Sequence, residues 1–214
     1  MKTACLKHFV SCSIFSALLT GSYAQAAPVI SELFYDASGS DAGLVFLELF
    51  GSPGESLDGL VLEGINGGTG DVYSSIALSG VMPGDGVFVI GDDSGGGGTS
   101  VANADLIADI DYQNGPDSVV LRGLSGVLDA VGYGVFGATD IFAGEGGAAP
   151  DPSAGSSIAR LNALFDSGDN SVDFSVLDTP TPGSVPLASA VPLPASAWLL
   201  GSGLMTLVSL RRNR

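Results

Sequence analysis

The sequence predicts an all-β fold, an antiparallel β-sandwich, and three observations lead there. Residues 28 to about 178 carry short β-type runs rich in apolar side chains, each four to nine residues long, and no long period of 3.6. Gly, Asp, Asn and Pro separate the runs at spacings near 10–15 residues, as tight turns between antiparallel strands require. No amphipathic segment of helical length lies between them, which disfavours a parallel α/β sheet. With 45% hydrophobic residues in 214, there is enough apolar material for a core, although 32 Gly and 11 Pro make the chain turn-rich.

The strand runs follow in order. Val29 to Tyr35 and Leu44 to Phe50 come first, then Leu57 to Ile65 and Val72 to Leu78. Pro83-Gly84-Asp85-Gly86 is a turn into Val87 to Ile90, and Asp105 to Ile110 is a weaker run. Asn114-Gly115-Pro116-Asp117 turns into Ser118 to Arg122, and Val127 to Tyr133 completes the main set. Ser157 to Leu161 and Asp173 to Leu177 add short strands or pack back on the sandwich. Asp92 to Ala104, with Gly95 to Gly98, reads as a flexible surface loop, and Phe136 to Ser156 as a second irregular segment. Residues 179–190 form a Pro-rich linker.

Both ends read as processing segments. Residues 1–26 have a positive start (Lys2, Lys7, His8), an apolar run Phe9 to Leu19, and Ala24-Gln25-Ala26 as a small-x-small site for signal peptidase, leaving Ala27 as the mature start. Residues 191–214 begin with Val191-Pro192-Leu193-Pro194, continue as an uncharged apolar helix over 195–210, and end in Arg211, Arg212 and Arg214. Sixteen helical residues rise about 24 Å, a marginal span, and the arginines hold the cytoplasmic side of the inner membrane. This tail resembles the PEP-CTERM sorting signals of Gram-negative bacteria, in the Val-Pro-Leu-Pro-Ala variant with Leu193 in place of the usual Glu. The resemblance implies recognition by an exosortase, cleavage near Pro194, and delivery to the cell surface or the extracellular space after transient membrane anchoring.

Residues 28 to about 134 resemble the lamin-tail domain, an immunoglobulin-like β-sandwich. Ile30-Ser31-Glu32-Leu33 looks like its opening strand, Phe46-Leu47-Glu48-Leu49 like its Glu-Leu strand, and Leu57 to Leu62 like the turn and strand that follow. Pro83 to Ile90, Asn114 to Leu121 and Asp129 to Gly134 match later elements. Ser157 to Leu161 with Arg160, Asp166 to Phe174, and Thr179-Pro180-Thr181-Pro182-Gly183 follow the order of a bacterial member. Phe46 and Leu60 stand where the family often carries Trp. The resemblance extends the domain over 27–178.

The chemistry that is missing narrows function. The only His and both Cys lie in the first twelve residues, so a mature chain builds no Ser-His-Asp or Cys-His site and lacks the usual zinc ligands. A formal charge of −16 argues against nucleic acid as a partner. Glu32 and Glu48 are read as inward-leaning carboxylates near a sheet edge, either an acid/base pair or, the preferred reading, acceptors for turn N–H groups. Asp166, Asp169 and Asp173 are candidate calcium ligands; the plainer alternative is a solvated acidic turn with Asx bonds, and no other cofactor is expected. The expectation is an exported, non-enzymatic surface or matrix protein acting in adhesion or structure, with exopolysaccharide a possible partner. The alternatives are a secreted carboxylate-dependent glycan hydrolase and a targeting module for a separate surface enzyme.

Overall fold

The computed structural model describes residues 27–186. The expected leader over 1–26 and the expected sorting tail over 191–214 lie outside the described residues, and with them the expected signal-peptidase site and the Pro-x-Pro and arginine motifs.

Ten strands form two sheets: β1 (Val29–Phe34), β2 (Phe46–Phe50), β3 (Val61–Asn66), β4 (Val72–Ala77), β5 (Val87–Asp92), β6 (Leu106–Ala108), β7 (Asp117–Gly123), β8 (Gly126–Tyr133), β9 (Ser157–Arg160) and β10 (Phe174–Leu177). One helical turn, α1 (Asn170–Asp173), precedes β10. The larger sheet runs β10-β9-β1-β2-β5-β6 and the smaller β4-β3-β7-β8. The chain is thus nearly all-β, a β-sandwich, and every expected run yields a strand. All but one of the pairings are antiparallel; β6 joins β5 in parallel. The long Gly-rich connection makes this possible, because it carries the chain back to the start of β5 before β6 begins.

The core follows the pleat. On β2, Leu47 and Leu49 face Leu33 and Ile30 of β1 across the register, and all four are fully buried. Val119 and Leu121 of β7 and Val131 of β8 join the same core from the other sheet. Their alternates Val120 and Ala130 pack with Ile65 and Ala143 in a second cluster, so the 134–156 segment covers the outer face of the small sheet. Gly132 shows how close that cover lies: a Cβ there would stand 2.1 Å from the Phe142 ring.

Strand β1 carries a bulge between Ile30 and Glu32. The extra residue, Ser31, resets the alternation, so that Ile30 and Leu33 both reach the core while Glu32 and Phe34 share the opposite face. A bulge also leaves backbone groups outside the ladder, and these need other partners.

Candidate functional site

Two carboxylate constellations were expected to carry any chemistry, and the structure places both. Glu32 and Glu48 are direct cross-strand partners on β1 and β2. They are not near an edge: β1 and β2 are the middle strands of the six, so both side chains are sealed, at 1% and 0% exposure. The residues that seal them come from the expected linker. Thr181 donates its N–H to Glu32 Oε1 at 2.9 Å and its hydroxyl to Oε2 at 2.7 Å. Gly183 donates its N–H to Glu48 Oε2 at 2.7 Å. Ser157 and Ser31 hydroxyls add bonds to Glu32 Oε1 at 2.6 Å and Glu48 Oε1 at 2.8 Å. Residues 179–184 are therefore a strap across the sheet rather than a free spacer, because two buried carboxylates need the N–H donors that the strap offers. Burial pushes the Glu48 carboxyl up to about 7, against the opposing pull of Ser31 and Gly183, with Glu32 adding to the rise. Both carboxylates act as acceptors of turn N–H groups, as preferred from the sequence.

The second constellation centres on Arg160 of β9, whose side chain has no exposure at all. Its Nε donates to Ile30 O at 2.9 Å, and its Nη2 to Asp129 Oδ1 at 2.7 Å. Asp129 Oδ2 in turn accepts Ile30 N–H at 2.6 Å. The salt-bridged pair thus takes the N–H and the C=O of the residue at the β1 bulge. Asp129 belongs to β8 and Arg160 to β9, so the pair also ties one sheet to the other. The Arg160 guanidinium lies 4.8 Å from the Phe174 ring centroid, a cation–π contact on its open face.

Two of the three candidate calcium ligands are drawn to this arginine. Asp173 Oδ2 and Asp166 Oδ1 both accept from Arg160 Nη1, at 3.1 and 3.3 Å. Burial pushes Asp173 up, but Ser167 and the Arg160 guanidinium outweigh it and hold the carboxyl below its ordinary range. Asp169 is not brought to them. It caps α1, accepting Ser171 N–H at 3.1 Å and Ser171 Oγ at 2.6 Å, and it also accepts Gly147 N–H at 2.9 Å. The three aspartates therefore make no common ligand shell. Each already has protein donors, and a cationic guanidinium sits where a calcium ion would need to bind two of them. The acidic turn does show the expected Asx bonds, at Asp166 to Gly168 and at Asp169 to Ser171, but Asp173 is buried rather than solvated.

The oxygens of Asp129, Glu145 and Asp166 lie within 4.8 Å of one another, the one such acidic group among the described residues. Glu145 Oε2 is buried with no hydrogen-bond partner. Burial raises the Glu145 carboxyl to about 7, with Asp129 and Asp166 adding repulsion. Arg160 already bonds two of the three residues, so these groups do not fit a calcium site either.

Sequence reasoning missed Asp129, Glu145 and Asn170. Asn170 is fully buried beside β8, an edge strand. Its Oδ1 accepts Gly132 N–H at 3.0 Å and Glu145 N–H at 2.9 Å, and its Nδ2 donates to Ala130 O at 2.8 Å. One amide side chain thus does the work of a neighbouring strand and blunts the edge. The only local signal was an Asn where a purely acidic loop needed none.

The chain matches no protein-family model and no curated protein. Among the described residues no helix is long and apolar enough to cross a membrane.

Proposed function

We propose that this chain is an exported, non-enzymatic β-sandwich protein of the lamin-tail type, sorted by an exosortase-type system and serving adhesion or structure at the surface or in the extracellular matrix of a Gram-negative bacterium. The observation that carries the non-enzymatic part is the strap over Glu32 and Glu48. The facing carboxylates best suited to general acid/base work are closed off from any substrate by the chain's own Thr181 and Gly183. Arg160, Asp129 and Asp173 are spent on the β1 bulge and on joining the sheets. The lamin-tail reading is supported by strands β1, β2, β3, β5, β7, β8 and β9 at the motif positions from Ile30 to Leu161; of the later positions, Asp166 to Phe174 holds a loop and α1, and Thr179 to Gly183 the strap. The sorting reading is supported by the order of Pro-x-Pro, apolar run and arginines in the tail.

Intact-mass measurement of the exported protein tests the sorting claim. In a host with an active exosortase, the expected mass corresponds to a chain starting at Ala27 and ending near Pro194. A mass that retains Trp198 would replace the sorting signal by a plain anchor. A screen of the same protein against surface polysaccharides addresses the ligand, with binding expected to survive Glu48→Gln.

A further inference from the structure

Both ends of the described fold meet at one apolar end of the sandwich. Ala27 lines a groove of about 490 Å³ with Phe50, Pro53, Leu128, Leu164 and Phe165. Ala163, in the same groove, is the residue that holds Pro186. A second depression shares Ala27 and Leu128 and extends to Leu124 at the tip of the β7–β8 hairpin. Leu124 is wholly exposed at this tip, and Leu164 and Phe165 are 68% and 57% exposed. Contiguous exposed apolar side chains of this kind mark a surface that meets something apolar. The charged residues lining the two depressions are Glu55, Asp58 and Asp166, all acidic.

We propose that this end of the sandwich faces and contacts the lipid bilayer while the chain is still tethered, with zwitterionic phospholipid as the partner. The inference rests on the reading of the tail as a membrane-directed segment. The apolar run Ala195–Leu210 begins nine residues after Pro186, and the run Phe9–Leu19 ends eight residues before Ala27. A fully extended chain covers at most about 3.5 Å per residue, so either run holds this end within about 30 Å of a membrane it enters. Tethering raises the local concentration of the bilayer at Leu124, Leu164 and Phe165, so a shallow apolar contact too weak to act from solution suffices. The acidic rim selects the lipid, because Glu55, Asp58 and Asp166 repel anionic headgroups and leave zwitterionic ones. Cleavage of the tail removes the tether and frees the same surface.

The test uses the full chain in phosphatidylcholine vesicles, with the single tryptophan moved. Trp198→Phe combined with Phe165→Trp places the reporter in the groove. Trp198→Phe combined with Val135→Trp places it just beyond the opposite end of β8, at a residue 78% exposed. Flotation shows attachment, and vesicles of brominated phosphatidylcholine quench only indoles in contact with acyl chains. The expected result is flotation of both variants, with the indole at 165 losing most of its fluorescence and the indole at 135 losing almost none. Flotation with the indole at 165 unquenched overturns this inference and leaves the tail reading standing; that outcome includes a blue-shifted but unquenched indole, the sign of cover by a second copy. Equal quenching at both positions overturns it too. Failure to float overturns both.

Discussion

Removing the guanidinium of Arg160 strands more than one partner. Arg160→Met would leave Asp129 charged, dry and unpaired, and Ile30 O without a donor. Breaking a buried pair from one side costs about 3–5 kcal/mol, so chemical denaturation of this variant is expected to show a loss of that order. The companion variant Asp129→Asn with Arg160→Met should recover part of it, since the uncompensated charge goes too. At Glu48 the effect is one of pH. Its folded carboxyl lies near 7 against an ordinary 4.5, so between those values the folded state binds the extra proton. Stability must then fall as the pH climbs from about 4.5 to 7, the reverse of common acid denaturation, by about 1–3 kcal/mol. Glu145, also near 7, acts in the same direction. Denaturant midpoints at pH 5 and pH 8 are expected to favour pH 5, and Glu48→Gln to shrink the difference by raising the pH 8 midpoint. An unchanged difference in that variant would remove Glu48 as its source.

Single elements make the same point about packing. Gly132 is the last residue but one of β8, where β-propensity would favour almost any other residue. Its value is space: a Cβ would collide with Phe142, and the adjoining Gly144 would itself collide with Gly132 N at 2.4 Å. Gly132→Ala is expected to lift the 134–156 segment and to cost about 1–3 kcal/mol, measured by thermal melting. Gly98, in the exposed loop, meets nothing nearer than 3.5 Å, and Gly98→Ala should leave the melt unchanged. The strands themselves were legible because alternation and turn residues are local signals. Strand β6 found the expected place, but its parallel pairing was not legible, since direction depends on how the 93–105 connection crosses the sheet. The Gly95–Gly98 loop is more ordered than its composition suggests, because Asp93 accepts the N–H groups of Gly95, Gly97 and Gly98. The strap over 179–184 was read as a linker from its prolines. Its end is a turn rather than an extended spacer, Ser184 N–H bonding Thr181 O at 3.0 Å; what docks it is a demand for donors from Glu32 and Glu48, which are more than 130 residues away in sequence. The buried role of Arg160 was hidden for the same reason, since Asp129 and the Ile30 carbonyl converge on it only in the folded sandwich.

At the scale of the whole molecule the governing quantity is charge. All 23 acidic residues, and of the bases only Arg122 and Arg160, fall within residues 27–186, which leaves a net charge of −21. Arg160 is internal, and Arg122 is half-exposed and paired with Glu63, so the surface field is almost wholly negative. Such a surface keeps the protein soluble and apart from other anionic polymers, and its self-repulsion weakens the compact state. Simple screening should therefore stabilise it. Raising monovalent salt from about 10 mM to about 0.5 M cuts the screening length from about 30 Å to a few ångströms, and the melting temperature should rise by several degrees. Calcium separates this general effect from a specific site. Asp166 and Asp173 already bind Arg160 and Asp169 caps α1, so no pre-formed shell awaits the ion. At equal ionic strength calcium and magnesium should raise the melting temperature by the same amount, and Asp169→Asn with Asp173→Asn should not abolish a calcium-specific rise, because there is none to abolish. That double variant should instead melt lower in every salt, since it removes a helix cap and one carboxylate from the Arg160 network. A calcium increment beyond that of magnesium, lost in the double variant, would show that the acidic loop rearranges around the ion and releases Asp173 from its arginine.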